Sequence, residues 1–453
     1  MPPRQDDPNW PSRRRLLENV VPTTPSTSHP PEESRPADRF LPPPPTTADD
    51  SGLDFGFLSD LALKAVYADT SCTTHRAAQR LALPLGVVDT LLQHLYREHF
   101  IEIRETIAPQ NRRYAMLDRG WERVRRLLDL NAYIGEAPVS LAAYTAMVKN
   151  QEEERPPVRH DAIRTALAGL VLPDSTVNLL GVVANSRRSL FITGAPGNGK
   201  TSIAKALHSA LEGDIWIPRA IEVDGHIINV FDSHNHVPAD PQPAVPYDQR
   251  WIKIRRPLVV VGGELTIESM DLTYDQTVKF YEAPFQVKSN GGTLLIDDFG
   301  RQRVQPRDLF NRWIIPLENR VDYLTLHTGK KIQVPFEQLL IFASNLDSAD
   351  LAEEAFLRRL GYRLATDSPT SETYGRIFRK YVEACHLRYD PRLLDGLLER
   401  YQREARDMRA CQPRDLVDRC RDICRYENRP FILTKELLER AWTYYFGTLQ
   451  ASR

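Results

Sequence analysis

The pattern of apolar and polar positions changes along the chain, and each change predicts a different kind of structure. Residues 57–95 contain three stretches in which apolar side chains recur every three or four positions, which predicts three amphipathic helices. Short apolar runs at 100–104 and 113–117 then predict two strands joined by a turn. From about residue 171 to 366 strand and helix signals alternate, and beyond 366 only helical spacing remains. The sequence therefore predicts an α/β core with a helical region on each side.

Four helices are predicted after the α/β core, at residues 371–387, 391–406, 413–425 and 434–446. Asp390 followed by Pro391 favours a helix start, because aspartate caps well and proline is tolerated at the first position. Residues 367–453 are thus expected to form a helical C-terminal domain, and residues 133–170 a linker.

Proline is concentrated near the N-terminus, where residues 1–52 hold 13 of the 34 prolines. Such a segment buries too little apolar surface to offset the entropy that is lost on ordering. We expect a disordered or polyproline-type tail over residues 1–52. It is either a plain tail or a docking motif for a partner.

Composition narrows the class of protein further. The formal net charge is −1, so the whole chain has no bulk attraction for polyanions. The five cysteines show no C-x-x-C spacing, which is typical of free thiols in a reducing compartment. No run approaches the ~20 apolar residues of a membrane span, and the N-terminus lacks the apolar core of a secretory signal. We expect a cytoplasmic protein without a membrane span.

The strongest chemical signal is a glycine-rich loop between a predicted strand and a predicted helix. Its residues are Gly194, Ala195, Pro196, Gly197, Asn198, Gly199, Lys200 and Thr201, followed by Ser202. They satisfy the pattern G-x-x-x-x-G-K-[ST], in which backbone N–H groups surround phosphate oxygens. The lysine of this motif reaches the outer phosphates, and the hydroxyl ligates Mg²⁺.

Two later apolar strands end in polar residues that suit the same chemistry. Residues 292–296 lead into Asp297 and Asp298, and residues 339–344 lead into Asn345. We expect Asp297 to hold the magnesium shell and Asp298 to orient and polarise an attacking water. The Asn345 amide would contact the γ-phosphate or that water, and the alternative is an ordinary turn former.

The motifs GAPGNGKT, LLIDD and FASN, followed by a helical region, resemble the AAA+ ATPases over roughly residues 165–450. A predicted β-hairpin within 320–334 is similar to an insert of the MoxR-like branch, which includes bacterial ATPases described as having chaperone activity. The resemblance implies an α/β fold with a P-loop parallel-sheet core over 171–366 and a helical lid over 367–453. It also implies ATP and Mg²⁺ as cofactors and a homo-oligomeric ring, most simply a hexamer. The ring would remodel a macromolecular client, such as a protein.

The resemblance further implies roles for individual polar residues. Asn345 corresponds to sensor 1, and Arg414, within Gln-Pro-Arg-Asp, to sensor 2. Arg358 and Arg359 lie where the family carries the arginine finger that acts on a neighbouring subunit's ATP. A guanidinium near the transferring phosphoryl group stabilises its negative charge. The alternative for each arginine is a surface salt bridge, and the sequence does not separate Arg358 from Arg359.

Asp298 departs from the family pattern, which usually has glutamate at this position. Its side chain is one methylene shorter, and misplacing a catalytic group by ~1 Å can cost about 10²-fold in rate. Hydrolysis would then be slow or tuned by assembly, or ATP would act only as a switch.

Residues 53–132 resemble a winged-helix domain, and the YAMLDRG stretch resembles its closing strand and turn. Residues 53–130 hold 11 Lys/Arg and 10 Asp/Glu, a net charge of +1, whereas DNA-binding domains usually present a basic face. Arg112 and Arg113 alone look suited to phosphates. Contact with a protein and binding of nucleic acid both remain as alternatives, with protein favoured.

A long insert over residues 213–291 separates the glycine-rich loop from the second motif. His234 and His236 form either a metal site or, as we expect, a polar loop. Three aromatic residues are candidates either for gripping a substrate or for packing within the insert: Tyr274, Phe280 and Tyr281.

Overall fold

The computed structural model describes residues 40–346, 358–388 and 390–447. The N-terminal region contains α1 (Phe55–Tyr67), α2 (Thr74–Leu81), α3 (Leu85–Arg97), β1 (Ile101–Ala108), β2 (Asn111–Met116) and α4 (Asp118–Leu130). The middle region contains β3 (Val139–Ser140), α5 (Leu141–Glu153), α6 (His160–Leu167), α7 (Asp174–Ser186), β4 (Leu190–Gly194), α8 (Lys200–Ser209), β5 (Asp214–Pro218), β6 (Ala220–Val223), β7 (His226–Asn229), β8 (Trp251–Arg255), β9 (Leu258–Val261), β10 (Thr273–Tyr274), β11 (Tyr281–Glu282), α9 (Phe285–Lys288), β12 (Thr293–Ile296), α10 (Pro306–Asn319), β13 (Val321–Thr325), β14 (Lys331–Pro335), β15 (Leu339–Ser344) and β16 (Tyr362–Thr366). The C-terminal region contains α11 (Ser371–Ala384), α12 (Pro391–Arg403), α13 (Gln412–Tyr426) and α14 (Lys435–Phe446).

Helices α1 to α4 and the antiparallel hairpin β1–β2 share one apolar core. The side chains of Asp54 and Thr73 cap α1 and α2 by accepting hydrogen bonds from backbone N–H groups of the first turn. Leu63 of α1 and Leu91 of α3 are completely buried, because both lie on the apolar stripes that the spacing predicts. The four helices and the hairpin therefore form a folded unit with its own core.

The proline-rich segment is folded onto the protein at its C-terminal end. The sequence predicts a disordered tail over 1–52, of which residues 1–39 lie outside the described part of the chain. Residues 40–52 differ from that prediction, since Phe40 and Leu41 pack against an apolar core of the middle region. Composition did not reveal this, because the surface that holds the segment comes from distant parts of the chain.

A buried ion pair fastens this segment to the middle region. Arg250 and Asp248 are 2.7 Å apart, and their side chains are only 5% and 4% exposed. The Arg250 guanidinium also donates to the carbonyls of Ser51 at 2.8 Å and Pro138 at 3.2 Å. The Asp248 N–H donates to the Pro42 carbonyl at 2.8 Å. A buried charge is costly unless it is paired and hydrogen-bonded. The partners of Arg250 come from the segment before α1, the segment before β3 and the insert, so these three parts of the chain meet here.

Residues 133–170, predicted as a linker, are also folded. Strand β3 completes a five-stranded sheet in the order β10–β11–β7–β6–β3, which we call the insert sheet. Tyr144 of α5 is buried in the core of that sheet, and Ile163 of α6 is buried against the larger sheet. The prediction differs because β3 and α6 are too short to give a clear period, and because α5, although 13 residues long, ends in a polar run.

The larger sheet of the middle region is parallel throughout, in the order β16–β4–β15–β12–β9. Its three central strands, β4, β15 and β12, are buried on both faces, as expected for a parallel sheet that is covered on both sides. In β4, Leu190 and Ile192 face one core and Phe191 faces the other. The predicted α/β class with a parallel sheet is confirmed. Residues 258–261, assigned from the sequence to the insert, form the edge strand β9 of this sheet.

The hairpin β13–β14 is antiparallel, as predicted, and its tip packs beside the insert sheet. His327 at the tip stacks on Tyr274 with ring centroids 4.4 Å apart. Tyr281 is buried, and Phe280 contacts Tyr133 with ring centroids 5.5 Å apart. These contacts favour packing over substrate gripping for the aromatic residues of the insert.

The two histidines of the insert lie in a hydrogen-bonded loop. His236 Nδ1 accepts a hydrogen bond from the Asp232 N–H at 2.9 Å, and its Nε2 lies 2.8 Å from the Lys288 carbonyl. The His234 N–H donates to the Asp232 carboxylate at 2.9 Å. Within the described residues, no group of three or more His, Cys, Asp or Glu is arranged to hold a metal ion. The hydrogen bonds of His234 and His236 favour the polar-loop alternative.

The four C-terminal helices pack around a core of their own that includes Tyr374, Leu416 and Trp442. Lys380 of α11 donates to the Leu170 carbonyl at 3.1 Å, just beyond α6, so the helical region contacts the sheet region. No helix in the described ranges is long and apolar enough to cross a membrane.

His208, in the last turn of α8, makes the free energy of unfolding depend on pH. Burial, and then the nearby Arg256 guanidinium, lower the pKa of His208 from 6.5 to about 4. His208 therefore binds a proton at a higher pH in the unfolded chain than in the folded chain. The free energy of unfolding falls as the pH falls from 6.5 to about 4, by at most about 3 kcal/mol. We expect the free energy of urea unfolding to fall less between about pH 7 and about pH 4.5 in His208→Gln than in the wild type. An equal acid-induced loss in both proteins would contradict this assignment.

Candidate functional site

The glycine-rich loop connects the carboxyl end of β4 to the N-terminus of α8. Gly194, Gly197 and Gly199 have φ values of +141°, +82° and +84°, which residues with a side chain rarely adopt. Gly199 immediately precedes α8, whose first N–H groups have no partner within the helix. Pro196 and Ser202 are exposed on either side of this turn. The loop thus presents unpaired donors at the edge of a parallel sheet where ligands usually bind.

Lys200 is held inside the loop. Its ammonium donates to the Gly194 carbonyl at 2.9 Å and to the Ala195 carbonyl at 3.2 Å, and the residue is only 7% exposed. Burial lowers the pKa of Lys200, and the nearby Asp298 and Asp297 carboxylates partly oppose that shift. A cation is therefore held against two backbone carbonyls of the loop.

Thr201 and Asp297 join the loop to the second predicted motif. The Thr201 hydroxyl lies 3.0 Å from Asp297 Oδ1 and 2.8 Å from Oδ2, although the two residues are 96 positions apart. Asp297 follows β12, and its N–H donates to the Val261 carbonyl at 2.8 Å, which continues the pairing of β12 with β9. The sheet therefore fixes this carboxylate opposite the hydroxyl.

Asp298 lies beside this pair and is exposed. Its N–H donates to Asp297 Oδ1 at 3.1 Å, and its φ is +49°. Aspartate and asparagine tolerate this left-handed backbone better than most other residues do. The backbone therefore gives a physical reason for aspartate rather than glutamate at this position.

Asn345 follows β15, the strand between β4 and β12, and its Oδ1 is buried without a hydrogen-bond partner. The end of β15 is fixed, since the Ser344 hydroxyl donates to the Phe299 carbonyl and the Phe299 N–H donates to the Ala343 carbonyl, both at 2.7 Å. Leaving a buried acceptor unpaired costs about 1–3 kcal/mol. A water or ligand that donates to Asn345 would remove that cost.

The candidate arginines contact protein groups in their own neighbourhoods. Arg359 Nε lies 2.5 Å from Glu318 Oε1. Arg358, one position earlier, is exposed. Arg414, in the first turn of α13, pairs with the adjacent Asp415 at 3.1 Å. The structure brings the loop, Thr201, both acids and Asn345 to one edge of the sheet.

Two contacts of the loop were missed from the sequence. The Cys411 N–H, at the start of α13, donates to the Gly197 carbonyl at 2.9 Å. The Asn198 amide donates to the Thr366 carbonyl at 3.3 Å. Neither contact had a signal in the sequence, since each joins residues more than 150 positions apart and Thr366 contributes only its backbone.

The chain was also compared with known families and structures. The family model "Domain of unknown function (DUF8689)" matches residues 370–444, which correspond to the four C-terminal helices. No curated protein matches the chain. Among solved structures, the T158V variant of Thermotoga maritima RuvB matches at 11% identity and a TM-score of 0.35, over 60% of this chain and 69% of that one.

NtrX from Brucella abortus matches at 16% identity and a TM-score of 0.37, over 60% of this chain and 55% of that one. Its complex with ADP matches at 14% identity and a TM-score of 0.34, over 77% and 59%. The chain thus spans little more than half of NtrX. Similarities this distant carry no argument about function, which rests on the chain's own residues.

Two glycines of the loop should differ sharply in their tolerance of a methyl group. A Cβ at Gly194 would lie 2.3 Å from the Thr366 carbonyl oxygen, whereas a Cβ at Gly199 would meet no atom within 4 Å. We expect Gly199→Ala to lower the free energy of unfolding by about 1 kcal/mol, from backbone strain alone. Gly194→Ala should lower it by at least about 3 kcal/mol, because overlap adds to the strain. Guanidinium unfolding of both variants checks this, and equal losses would contradict the described packing.

Proposed function

We propose that the chain is a Mg²⁺-dependent ATPase of the AAA+ type. The observation that carries the proposal is the pairing of the Thr201 hydroxyl with both oxygens of Asp297 at the mouth of the glycine-rich loop. It brings the two groups expected to hold a metal ion beside the donors expected to hold phosphates. Residues 171–366 are proposed as the nucleotide domain and residues 367–453 as its lid.

The side chains at the site suit a nucleotide with its magnesium ion. Thr201 and Asp297 are hard oxygen donors, and Mg²⁺ is typically bound through one or two such groups together with phosphate oxygens and water. These two residues would hold the ion, which neutralises charge on the phosphates when bound. The Lys200 ammonium would exchange the Gly194 and Ala195 carbonyls for phosphate oxygens, which are stronger acceptors.

Asp298 and Asn345 are proposed to handle the attacking water. The exposed Asp298 carboxylate accepts one proton from this water. The other O–H group of the water donates a hydrogen bond to the unpaired Asn345 Oδ1. The water oxygen then bonds to the γ-phosphorus, the bond to the bridging oxygen breaks, and ADP and phosphate form. The left-handed backbone of Asp298 sets where its short side chain reaches.

The arginines are proposed to complete the site in a ring of identical chains. Arg358 is the preferred candidate for the finger, because it is more exposed than Arg359. Arg414 would leave Asp415 to contact the γ-phosphate from the lid. Each guanidinium would stabilise the charge that spreads over the transferring phosphoryl group.

A protein is the proposed client of this machine, which we place in the MoxR-like branch and in the cytoplasm. The five cysteines are all free, in accord with a reducing compartment. In the proposed winged-helix domain, Arg112 pairs with Asp89 at 3.4 Å and Arg113 with Glu105 at 2.9 Å. These pairs neutralise the hairpin that a nucleic acid would contact, so they favour a protein client over the alternative of a DNA-binding ATPase.

We expect ATP hydrolysis whose specific activity rises with protein concentration, because each site requires a neighbouring chain. Lys200→Ala should abolish it, and Arg358→Ala should lower it at least about 100-fold, against less than about fivefold for the matched Arg359→Ala.

Mixing inactive subunits tests the same prediction more sharply. Lys200→Ala chains still offer an intact Arg358, and Arg358→Ala chains still bind ATP. Their mixture should regain part of the activity if the finger acts on the neighbouring chain. If the two variants form mixed rings and the mixture regains no ATPase activity, Arg358 does not act on the neighbouring chain. Absence of turnover at any concentration in the wild type would leave ATP as a switch.

The nucleic-acid alternative has its own test. We expect no binding of duplex DNA at about 50 mM salt, measured by fluorescence anisotropy, and no difference between the wild type and the double variant Arg112→Ala plus Arg113→Ala. Binding that falls steeply with salt, and that the double variant weakens, would establish the alternative instead.

A further inference from the structure

The carbonyl side of the glycine-rich loop touches the helical region directly. The Cys411 N–H donates to the Gly197 carbonyl at 2.9 Å. Any Cβ at position 197 would lie 2.6 Å from Cys411 Sγ, so the thiol fills the space above the glycine. The contact thus depends on a position without a side chain and on a small residue opposite it.

The next residue of the loop forms a second connection. Asn198 is only 7% exposed, its Nδ2 donates to the Thr366 carbonyl at 3.3 Å, and its Oδ1 has no partner. Thr366 is the last residue of β16, and its hydroxyl donates to the Thr193 carbonyl at 2.8 Å. The chain enters the helical region four residues later, where Thr370 caps α11. Asn198 therefore ties the loop to the junction between the two regions.

The turn that carries Cys411 is fixed to the body of the helical region. Gln412 is buried, and its Oε1 accepts hydrogen bonds from the Arg409 N–H at 2.6 Å and the Tyr401 hydroxyl at 2.9 Å. The Tyr401 hydroxyl also lies 3.1 Å from that of Tyr374 in α11. Because these hydrogen bonds hold the turn rigidly, a displacement of Cys411 also displaces α11 and α12.

We propose that Asn198 and Cys411 are positioning residues that couple nucleotide binding at the glycine-rich loop to the helical region. The inference rests on the proposed function, because the occupant of the loop is a nucleotide polyphosphate. Its phosphates bind the N–H side of the loop, while the carbonyl side faces Cys411. When the loop tightens around phosphate, the hydrogen bonds to the Gly197 and Thr366 carbonyls pull the helical region toward the loop.

The Cys411 thiol reports this coupling, because two effects of a bound nucleotide slow its alkylation. Closure of the helical region shields a side chain that is now half-buried. Burial, and then the Asp415 carboxylate, already raise the pKa of Cys411, and phosphate charge nearby raises it further. Since the thiolate is the reactive form, both effects lower the rate.

The test follows alkylation of the full-length protein by N-ethylmaleimide, with each cysteine quantified by peptide mass spectrometry. Cys385 is the internal reference, since it is half-buried at the end of α11 and accepts a contact from Arg421 at 3.0 Å. Saturating ADP should slow alkylation of Cys411 at least about tenfold, the effect of one pKa unit, and change Cys385 by less than about twofold. An unchanged Cys411 rate overturns the proposal.

A separate binding measurement distinguishes this failure from failure of the proposed function. A fluorescent ADP analogue should bind the wild type and not Lys200→Ala. If it binds while Cys411 is unprotected, only the coupling is wrong. If it does not bind, the ATPase proposal and the coupling fall together.

The role of Asn198 is tested with Asn198→Ala, measured at a nucleotide concentration that saturates it. Protection of Cys411 should fall below about threefold, because the connection to Thr366 is lost. Asn235→Ala is the matched control, as that amide donates to Asp232 in the insert, and its protection should equal that of the wild type. Full protection in Asn198→Ala, or complete loss of binding, would remove Asn198 from the coupling.

Discussion

The arrangement of the candidate site depends on one hydrogen-bonded pair, the Thr201 hydroxyl and the Asp297 carboxylate. The pair is possible because β4 and β12 are parallel and end at the same edge of the sheet. The strand between them is β15, so the order of the sheet leaves Asn345 between the loop and the acids. Strand order alone therefore brings three distant motifs together. Each motif then needs only to place its polar residue directly after an apolar strand.

The same edge is where the helical region rests on the sheet region. Cys411 lies on the glycine-rich loop, and Lys380 reaches the Leu170 carbonyl beside α6. The two contacts lie in different parts of the C-terminal region, and together they hold it against the sheet region. A ligand in the loop would thus be enclosed by two bodies rather than lie on an open surface.

Much of this could be predicted from the sequence because it depends on local patterns. The four C-terminal helices and the hairpin β13–β14 have clear periods and turn residues, and the observed bounds follow the predicted ones closely. The glycine-rich loop and its acids were found because their chemistry dictates both residue type and spacing. Each of these features is specified within about twenty neighbouring residues.

What could not be predicted depends on distant residues. Strand β9 is four residues long and apolar, and only its register with β12 identifies it as part of the larger sheet. The Gly197–Cys411 contact involves a backbone donor, which every residue but proline carries. The positive φ of Asp298 is likewise a property of the folded strand end, and it gives a physical reason for aspartate rather than glutamate at this position.

The buried pair of Arg250 and Asp248 limits how this protein can be divided or recombined. Its guanidinium is shared between the chain before α1 and the chain before β3, so it belongs to the insert, the N-terminal segment and the connection at once. Removal of the N-terminal unit would leave this pair in place but would take away the Ser51 carbonyl that accepts from Arg250 and the Pro42 carbonyl that accepts from the Asp248 N–H, and a buried donor without an acceptor costs about 1–3 kcal/mol. The N-terminal unit and the insert therefore depend on each other for stability, and a cut made after α4 would divide one shared hydrogen-bond network.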